Sequence, residues 1–350
     1  MPFSGVTRVY RPHDDEAHLL IPQDGETATR ALCRAKLPAA DAWRGTGNPA
    51  EAAQAAALPL CAACRRWADW AAGAWWLPSA HARRAFLPED PQEHSRRVAD
   101  LVTAFWPSGA AIEVPLGTVA TVVLLPLADS QAPTLARTIA ELPPGGLIEL
   151  MRATWAELWV RHPYLTECAG LLYRWLSTAC DETAQQVTEL THHLLRAGVM
   201  EHGADPGRYL KADLLGRLLQ QLTARREKGR HGAFHTPDFV CDFMSEVLSD
   251  LAEGESTGEL AAGSGAMWRA AAAQLRRQGK DPATFPWVGV EIDPLAAAAL
   301  AANSLLWRLG DDVLIACADG LSRDSGLGQA HEHRARATAR RNALKESLPQ

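Results

Sequence analysis

The sequence lacks several features that would point to a function at once. It has no apolar run of the roughly 20 residues that cross a bilayer, and its N-terminus has no signal-peptide core. The phosphate-binding pattern G-x4-G-K-[ST] and the zinc-protease pattern H-E-x-x-H are also absent. We therefore expect a soluble, cytoplasmic protein without membrane segments that belongs to neither of those enzyme classes.

Lysine is scarce as well, and acidic residues outnumber basic ones. The formal net charge is −6, and only 5 of the 35 cationic residues are lysines. This balance excludes a uniformly basic protein that binds nucleic acid through bulk charge, but it allows a local basic surface. Two clusters, at residues 225–230 and 334–341, carry enough arginine to contact phosphates.

The length and composition predict several folded domains. The chain has 350 residues, of which 47% are hydrophobic and 22% charged, as in proteins with real cores. Shifts in composition divide it into five parts. We predict a zinc-binding module at 1–78, a linker with short β strands at 79–132, a helical domain at 133–230, an α/β domain at 231–322 and a basic tail at 323–350.

The seven cysteines predict a metal site rather than disulfides, because their number is odd and their spacing is scattered. Cys61 and Cys64 form a C-A-A-C pair, and Cys33 with His18 upstream completes the Cys3His set that tetrahedral zinc accepts. His13 competes for the histidine position. Four protein ligands make such a zinc structural; the alternative is a helix end with two free thiols. The other cysteines lie in apolar stretches and are predicted to be small buried side chains: Cys168, Cys180, Cys241 and Cys317.

The middle of the chain changes from a strand-like to a helical pattern. Two β-branched runs, at 110–116 and 118–127, are separated by Gly117 and predict a hairpin or two edge strands. Helical periodicity then predicts four amphipathic helices, at 147–160, 165–178, 183–197 and 210–225.

Residues 232–319 predict a βαβαβ unit with parallel strands. A helix at 239–251 precedes a strand that ends at Ala262. The remaining predicted elements are a helix at 266–278, a strand at 286–292, a helix at 294–309 and a strand at 312–317. The fold class is thus α/β, a helical domain followed by a Rossmann-like half sheet, and the tail at 331–345 is expected to be a solvated helix.

The loop after the first of these strands has the composition of a ligand-binding turn. Gly263 and Gly265 let the backbone turn tightly and approach a ligand. Glu291 is expected at the end of the second strand, where a carboxylate can accept both hydroxyl groups of a ribose. Asp319 follows the third strand, within reach of the amino edge of an adenine.

Four blocks in this order resemble the N6-adenine DNA methylase family, and most of all the modification subunit of type I restriction systems. They are G-A-F-H-T-P at 232–237, E-L-A-A-G-S-G at 259–265, G-V-E-I-D-P at 289–294 and A-D-G-L at 318–321. The family patterns for the first two are G-x-F-[YH]-T-P and D-P-A-C-G-[ST]-G. The resemblance covers roughly 147–321 and implies an S-adenosylmethionine-dependent methyltransferase of restriction-modification or phage-defence type, with DNA as its partner.

The resemblance also assigns roles to residues around the cofactor. His235 and Thr236 would border its methionine end, and Glu259 stands at the position of the family's first-strand acid. Gly263 and Gly265, with Ala261, would form the backbone-lined part of the pocket, while Glu291 would hold the ribose and Asp319 the adenine.

One family motif is missing, and this leaves the activity open. The motif [DNS]-P-P-[YFW], which holds and stacks on the flipped adenine, does not occur; the only Pro-Pro pair is Pro143-Pro144. The sequence therefore names no catalytic residue. An active methylase with a second chain supplying the motif is the first interpretation, and a catalytically inactive relative acting as a DNA-binding, scaffold or regulatory subunit is the alternative. An NAD-dependent oxidoreductase is disfavoured because Trp268 occupies the third glycine position.

The predicted half sheet also has an uncovered edge. In this fold the first strand is central, so without further strands it presents an unpaired apolar edge. The strands expected around 110–127, a partner subunit or a homodimer could complete the sheet; the remaining alternative is that the chain is a truncated relative.

Overall fold

A computed structural model of the chain describes eight stretches of sequence. They are residues 7–9, 18–20, 90–107, 110–129, 136–226, 236–247, 255–322 and 326–347. The chain forms two compact units, one of residues 1–83 with 137–150 and one of 84–136 with 151–350. The described part is mostly helical and contains one small parallel sheet.

The first unit contains two paired strands. β1 (Thr7–Val9) and β2 (His18–Leu20) are antiparallel, with Val9 opposite His18. Three predicted zinc ligands, Cys33, Cys61 and Cys64, lie outside the described residues, as does His13. Within the described residues no three His, Cys, Asp or Glu side chains come together as a metal site. The zinc module therefore stays a prediction.

The second unit begins with two helices, the second of which corrects the strand prediction. α1 (Pro91–Phe105) is capped by Asp90, which accepts a hydrogen bond from the Gln92 amide at 3.0 Å. α2 (Glu113–Ala128) replaces the strands predicted at 110–116 and 118–127, and it is buried on all sides from Val114 to Pro126. A helix enclosed by others has no polar face, so its sequence reads as a continuous apolar run. β-Branched residues then favour a strand locally although packing selects a helix.

Gly117 has a packing role in α2 and does not mark a turn. A Cβ atom at this position would lie 1.8 Å from the carbonyl oxygen of Leu172. Only glycine lets the backbone of α2 approach the backbone at Leu172 so closely.

Short and medium helices follow. They are α3 (Ala136–Ala140), α4 (Pro144–Arg161), α5 (Pro163–Cys168), α6 (Asp181–Arg196), α7 (Val199–Ala204), α8 (Pro206–Tyr209) and α9 (Leu214–Arg226). The helices predicted at 147–160, 183–197 and 210–225 are thus confirmed as α4, α6 and α9. The helix predicted at 165–178 is wrong as a single element, because α5 gives way to two 3-10 segments, Ala169–Leu172 and Arg174–Thr178.

The C-terminal part confirms the predicted βαβαβ order. The elements are α10 (Asp238–Val247), β3 (Thr257–Glu259), α11 (Ala266–Arg277), β4 (Trp287–Glu291), α12 (Pro294–Leu306), β5 (Val313–Cys317) and α13 (Leu327–Ser347). The sheet order is β3-β4-β5 with all strands parallel, and Trp287 of β4 lies opposite both Thr257 and Val313. The carboxyl ends of the three strands therefore meet at one edge.

A tyrosine covers the outer edge of β5. The Tyr164 hydroxyl donates to the Ile315 carbonyl oxygen at 2.9 Å and accepts from the Ile315 amide at 3.0 Å. One buried side chain thus satisfies both outward-facing backbone groups of this residue, which an open edge would leave unpaired. On the other side of the sheet, no strand in the described ranges pairs with the free edge of β3. Since 113–128 is helical, the strands expected there do not cover it.

The tail helix is not simply solvated, in contrast to the prediction. α13 packs against β5 and α5, with Ala330 and Ala337 buried. Because these two small residues are seven positions apart, they lie on one face and let the helix sit close to the sheet. Two arginines and one histidine of this helix contact acids of the unit: His333 and Arg340 contact Glu167, at 2.8 and 2.5 Å, and Arg334 contacts Asp312 at 2.7 Å.

The cysteine predictions hold only in part. Cys241 is buried and Cys168 is half-buried, but Cys180 and Cys317 are exposed, which corrects the expectation for those two. Cys180 lies directly before α6 and Cys317 ends β5, so neither faces a core. Of the helices in the described ranges, none combines the length and apolar composition needed to span a bilayer.

Candidate functional site

The carboxyl edge of the sheet brings two predicted acids together. β3 ends at Glu259 and β4 at Glu291, and the strands are adjacent and parallel. The loop from Leu260 to Gly265 leads from β3 into α11. Glu291 fixes this loop, because its Oε2 accepts from the Gly263 amide at 2.6 Å while its Oε1 accepts from the Asp293 amide at 2.8 Å. Glu291 is only 8% exposed and acts as a connection between the two strand ends.

The two loop glycines have different roles. Gly263 has a φ of +55°, and a Cβ atom there would meet nothing within 4 Å. Gly265 has a φ of +95°, and its Cβ would lie 2.5 Å from Leu300 and 2.9 Å from Trp307. Gly263 therefore faces open space, whereas Gly265 packs the loop against α12. Both need the left-handed conformation that glycine adopts without strain.

A cavity of about 600 Å³ lies beside this loop. Its volume is within the range of small-molecule sites. Among its lining residues are Thr236 and Phe239 from the start of α10, Glu259 and Ala261 from the strand end, and Gly263. The structure thus brings four of the predicted cofactor residues to one cavity: Thr236, Glu259, Ala261 and Gly263.

Glu259 has an unusual environment in this cavity. Its Oε2 is buried, and nothing in the described ranges donates a hydrogen bond to it. Burial and, to a smaller extent, the negative charge of Glu291 together raise the pKa of Glu259 to about 7. An orphaned carboxyl oxygen beside an open glycine is what a ligand with a donor group would complete. S-adenosylmethionine carries donors of this kind, an ammonium group and ribose hydroxyls, so the acceptor at Glu259 is compatible with it.

A buried aspartate, which the sequence did not predict, supports the glycine loop through hydrogen bonds. Asp213 accepts hydrogen bonds from the Ser264 hydroxyl at 2.6 Å, the Gly216 amide at 2.8 Å and the Asn303 side chain at 2.8 Å. Asn303 also donates to the Ser264 carbonyl at 2.9 Å. Desolvation raises the pKa of Asp213, while its three donors act against that shift. Asp213 directly precedes α9, and a helix N-cap was the one local signal that could have identified it.

Ion pairs position the helix that follows the T-P block. Arg269 of α11 is 2% exposed and lies 3.0 Å from Asp242 and 3.6 Å from Asp238. Arg217 of α9 adds a contact of 3.2 Å to Asp238. Thr236, two residues before this helix, lies at the cavity. Its neighbour His235 lies outside the described residues.

Asp319 lies in the loop after β5 and is exposed. Its Oδ1 accepts from the Leu321 amide at 2.9 Å. The next residue, Gly320, approaches the Leu260 carbonyl so closely that a Cβ would lie 2.0 Å from that oxygen. The Asp319 loop therefore contacts the glycine loop, although Asp319 itself does not line the cavity that contains Glu259.

One further motif in this region lacks its structural context. G-E-S-T-G at 254–258 matches the serine-hydrolase pattern G-x-S-x-G. In those enzymes the serine stands on a turn that leads from a strand into a helix. Here Ser256 directly precedes β3 and so enters a strand. The pattern therefore does not indicate a nucleophile.

Comparisons with known proteins address the same part of the chain. Residues 211–334 match the family described as N-6 DNA Methylase, which confirms the predicted resemblance. The curated proteins contain no match. A similar solved structure is the methyltransferase subunit of the type I restriction-modification system from Streptococcus thermophilus. It is 14% identical with a TM-score of 0.39, and the alignment covers 66% of this chain and 58% of that subunit, less than two thirds of its length.

Proposed function

We propose that residues 211–334, as a member of the N-6 DNA methylase family, bind S-adenosylmethionine, and that the protein serves DNA adenine-N6 methylation in a restriction-modification or phage-defence system. The observation that carries this proposal is the cavity beside the glycine loop, with Glu259 unpartnered at one strand end and Glu291 at the next. When bound, this cofactor supplies a methyl group activated by a sulfonium.

The residues at the strand ends suit the cofactor's nucleoside. Glu291 has used one lone pair on each oxygen, and a carboxylate accepts about four hydrogen bonds, so it can also take the ribose hydroxyls. Three apolar side chains follow the strand ends and are exposed: Leu260 by 60%, Ile292 by 68% and Leu321 by 93%. A purine ring between them would remove this apolar surface from water, and Asp319 would accept from its amino group.

We further propose that another polypeptide completes the sheet next to β3, as a partner subunit or a second copy. Phe243 and Met244 of α10 are 65% and 42% exposed. A largely apolar cavity of about 570 Å³ runs along β3 and is lined by Thr257, Gly258 and Met267 among others. A strand added here would pair with the free β3 edge, and the polypeptide that provides it would also supply the missing adenine-binding motif.

DNA is the proposed substrate and partner, and the local charges suggest how it is contacted. In the cluster 334–341, Arg334 and Arg340 pair with acids of the unit, and Arg336 pairs with Glu332 at 3.4 Å. These pairs reduce the charge that α13 offers to phosphates. We therefore place the main DNA contact on the added polypeptide or near 225–230.

Calorimetric titration of the whole chain with S-adenosylmethionine tests cofactor binding. Gly263→Asp would put a side chain and a negative charge into the cavity, so binding should fall at least tenfold. Gly279→Asp is the matched control, because Gly279 also has a positive φ, +75°, with nothing within 4 Å, and lies outside the cavity lining. If the unmutated protein binds no cofactor, the proposal is wrong.

The alternative function is a catalytically inactive relative that acts as a DNA-binding, scaffold or regulatory subunit. The 350 residues themselves contain no [DNS]-P-P-[YFW], and such a relative would bind the cofactor without transferring its methyl group. Transfer of a tritiated methyl group to unmethylated DNA distinguishes the two, with and without the products of neighbouring genes. Cofactor binding without transfer in either condition supports the inactive relative.

A further inference from the structure

The acids around the cavity differ in how they are satisfied. Glu291 accepts from two backbone amides, and Asp213 accepts from three donors. Asp238 pairs with Arg217 and Arg269, and Asp242 pairs with Arg269. Each of these acids already has its partners within the protein.

Glu259 is different from all of them. Its Oε2 is enclosed and has no donor in the described ranges, although it belongs to the cavity lining. The charged group that acts on it most is Glu291 on the neighbouring strand, and no cation among the described residues is paired with it. Glu291 and Glu259 end adjacent strands, but only Glu291 has donors that stabilise its charge. The neutral, protonated form of Glu259 is therefore favoured.

We propose that Glu259 holds a proton while the cavity is empty and releases it when a cationic ligand enters, so that the site selects the positively charged form of its ligand. The change is a simple ionisation: the Glu259 carboxyl becomes a carboxylate, and the proton passes to the buffer. This inference rests on the proposed function and deepens it. S-adenosylmethionine carries a sulfonium charge in addition to its ammonium group, whereas S-adenosylhomocysteine, the product of methyl transfer, keeps the ammonium and lacks the sulfonium.

The expected change in ligand affinity with pH follows from the ionisation of Glu259 near pH 7. If binding requires the carboxylate, affinity for S-adenosylmethionine should rise about tenfold between pH 6 and pH 8. Most of the proton should be released at pH 6 and little of it at pH 8. The preference for S-adenosylmethionine over S-adenosylhomocysteine should be larger at pH 8, where the carboxylate is already charged.

The test is calorimetry of both ligands at pH 6, 7 and 8, in buffers of different ionisation enthalpy that report the protons released. Glu259→Gln keeps the shape and cannot ionise, so its affinity should change less than threefold over this range and its charge preference should be lost. Glu259→Asp keeps an acid and should retain the pH dependence. Thermal unfolding of each variant checks that it is folded. Proton release by the unmutated protein tests the inference even if a variant does not fold.

The outcomes separate the two proposals. Binding by the unmutated protein with proton release that disappears in Glu259→Gln supports the inference. Binding that neither depends on pH nor releases protons beyond those of Glu259→Gln overturns the role of Glu259 and leaves the cofactor site standing. Absence of binding for both ligands at every pH overturns the proposed function, and the inference with it.

Discussion

Two buried histidines should make the second unit sensitive to mild acid. His94 of α1 and His202 of α7 have their Nδ1 atoms 3.1 Å apart, and His94 Nε2 lies 2.7 Å from the Ala197 carbonyl oxygen. A carbonyl only accepts, so we assign the proton of His94 to Nε2. Its Nδ1 then accepts from His202 Nδ1, and His202 Nε2 is left as a buried acceptor to which no group in the described ranges donates. Both rings must be neutral for this arrangement to persist.

The size of the effect comes from the pKa of His202. Burial is the main cause that lowers this pKa from 6.5 to about 3, and the nearby His94 and Arg208 side chains act in the same direction. Since the folded pKa lies below the unfolded one, this stabilisation is complete above about pH 6.5 and is lost as the pH falls toward 3. The linkage relation gives a loss of about 2 kcal/mol between pH 7 and pH 5. The pKa of His94 is also lowered, chiefly by burial, and acts in the same direction.

Urea unfolding of the whole chain at pH 7 and pH 5 measures this loss. His202→Gln stays neutral at both pH values, so its free energy of unfolding should fall by about 2 kcal/mol less than that of the unmutated protein. His331→Gln, at an exposed position of α13, is the matched control for the substitution. An identical pH dependence in His202→Gln and the unmutated protein would refute the reasoning.

Three further predictions concern stability and are measured by urea unfolding at pH 7. Tyr164→Phe should cost about 1–3 kcal/mol, since both backbone groups of Ile315 lose their partner; a cost below 0.5 kcal/mol would contradict the edge-covering role. Gly265→Ala should cost about 1–3 kcal/mol, because its φ is +95° and its Cβ would lie 2.5 Å from Leu300. Gly279→Ala should cost less, because it has the strained positive φ without a steric clash. Asp213→Ala should cost at least about 2 kcal/mol and also weaken cofactor binding, because Ser264 and Asn303 lose their acceptor; unchanged binding would show that the loop holds its shape without it.

The sequence predicts best where the signal is local. Gly263 and Gly265 between a strand and a helix, and Glu291 at the next strand end, are recognisable because each conformation depends on neighbours a few residues away. The three strands and two crossover helices were found for the same reason. The run at 113–128 was misread because burial on every side removes the periodicity that distinguishes helix from strand.

Contacts between distant residues could not be read from the chain. Tyr164 and Ile315 are 151 positions apart in the sequence. The separation is 108 positions for His94 and His202, and it is 90 positions for Asp213 and Asn303. Each pair consists of ordinary residue types in ordinary helical or strand contexts. Only the packing of α1, α5 and α9 onto their neighbours makes them partners.

The glycine loop shows why position in a motif does not by itself fix a role. Three acids surround it, and from sequence two of them were assigned to the ligand while the third was missed. In the structure Asp213 accepts from three donors and supports the loop, and Glu291 accepts from one loop amide, that of Gly263, and from the amide of Asp293. Glu259 alone has a buried oxygen with no donor in the described ranges. Because a buried acceptor without a partner costs about 1–3 kcal/mol, it persists where a ligand or a proton completes it. The number of donors around each acid therefore distinguishes the acids that stabilise the loop from the acid that is free to bind a ligand. It identifies Glu259 as the first residue to substitute.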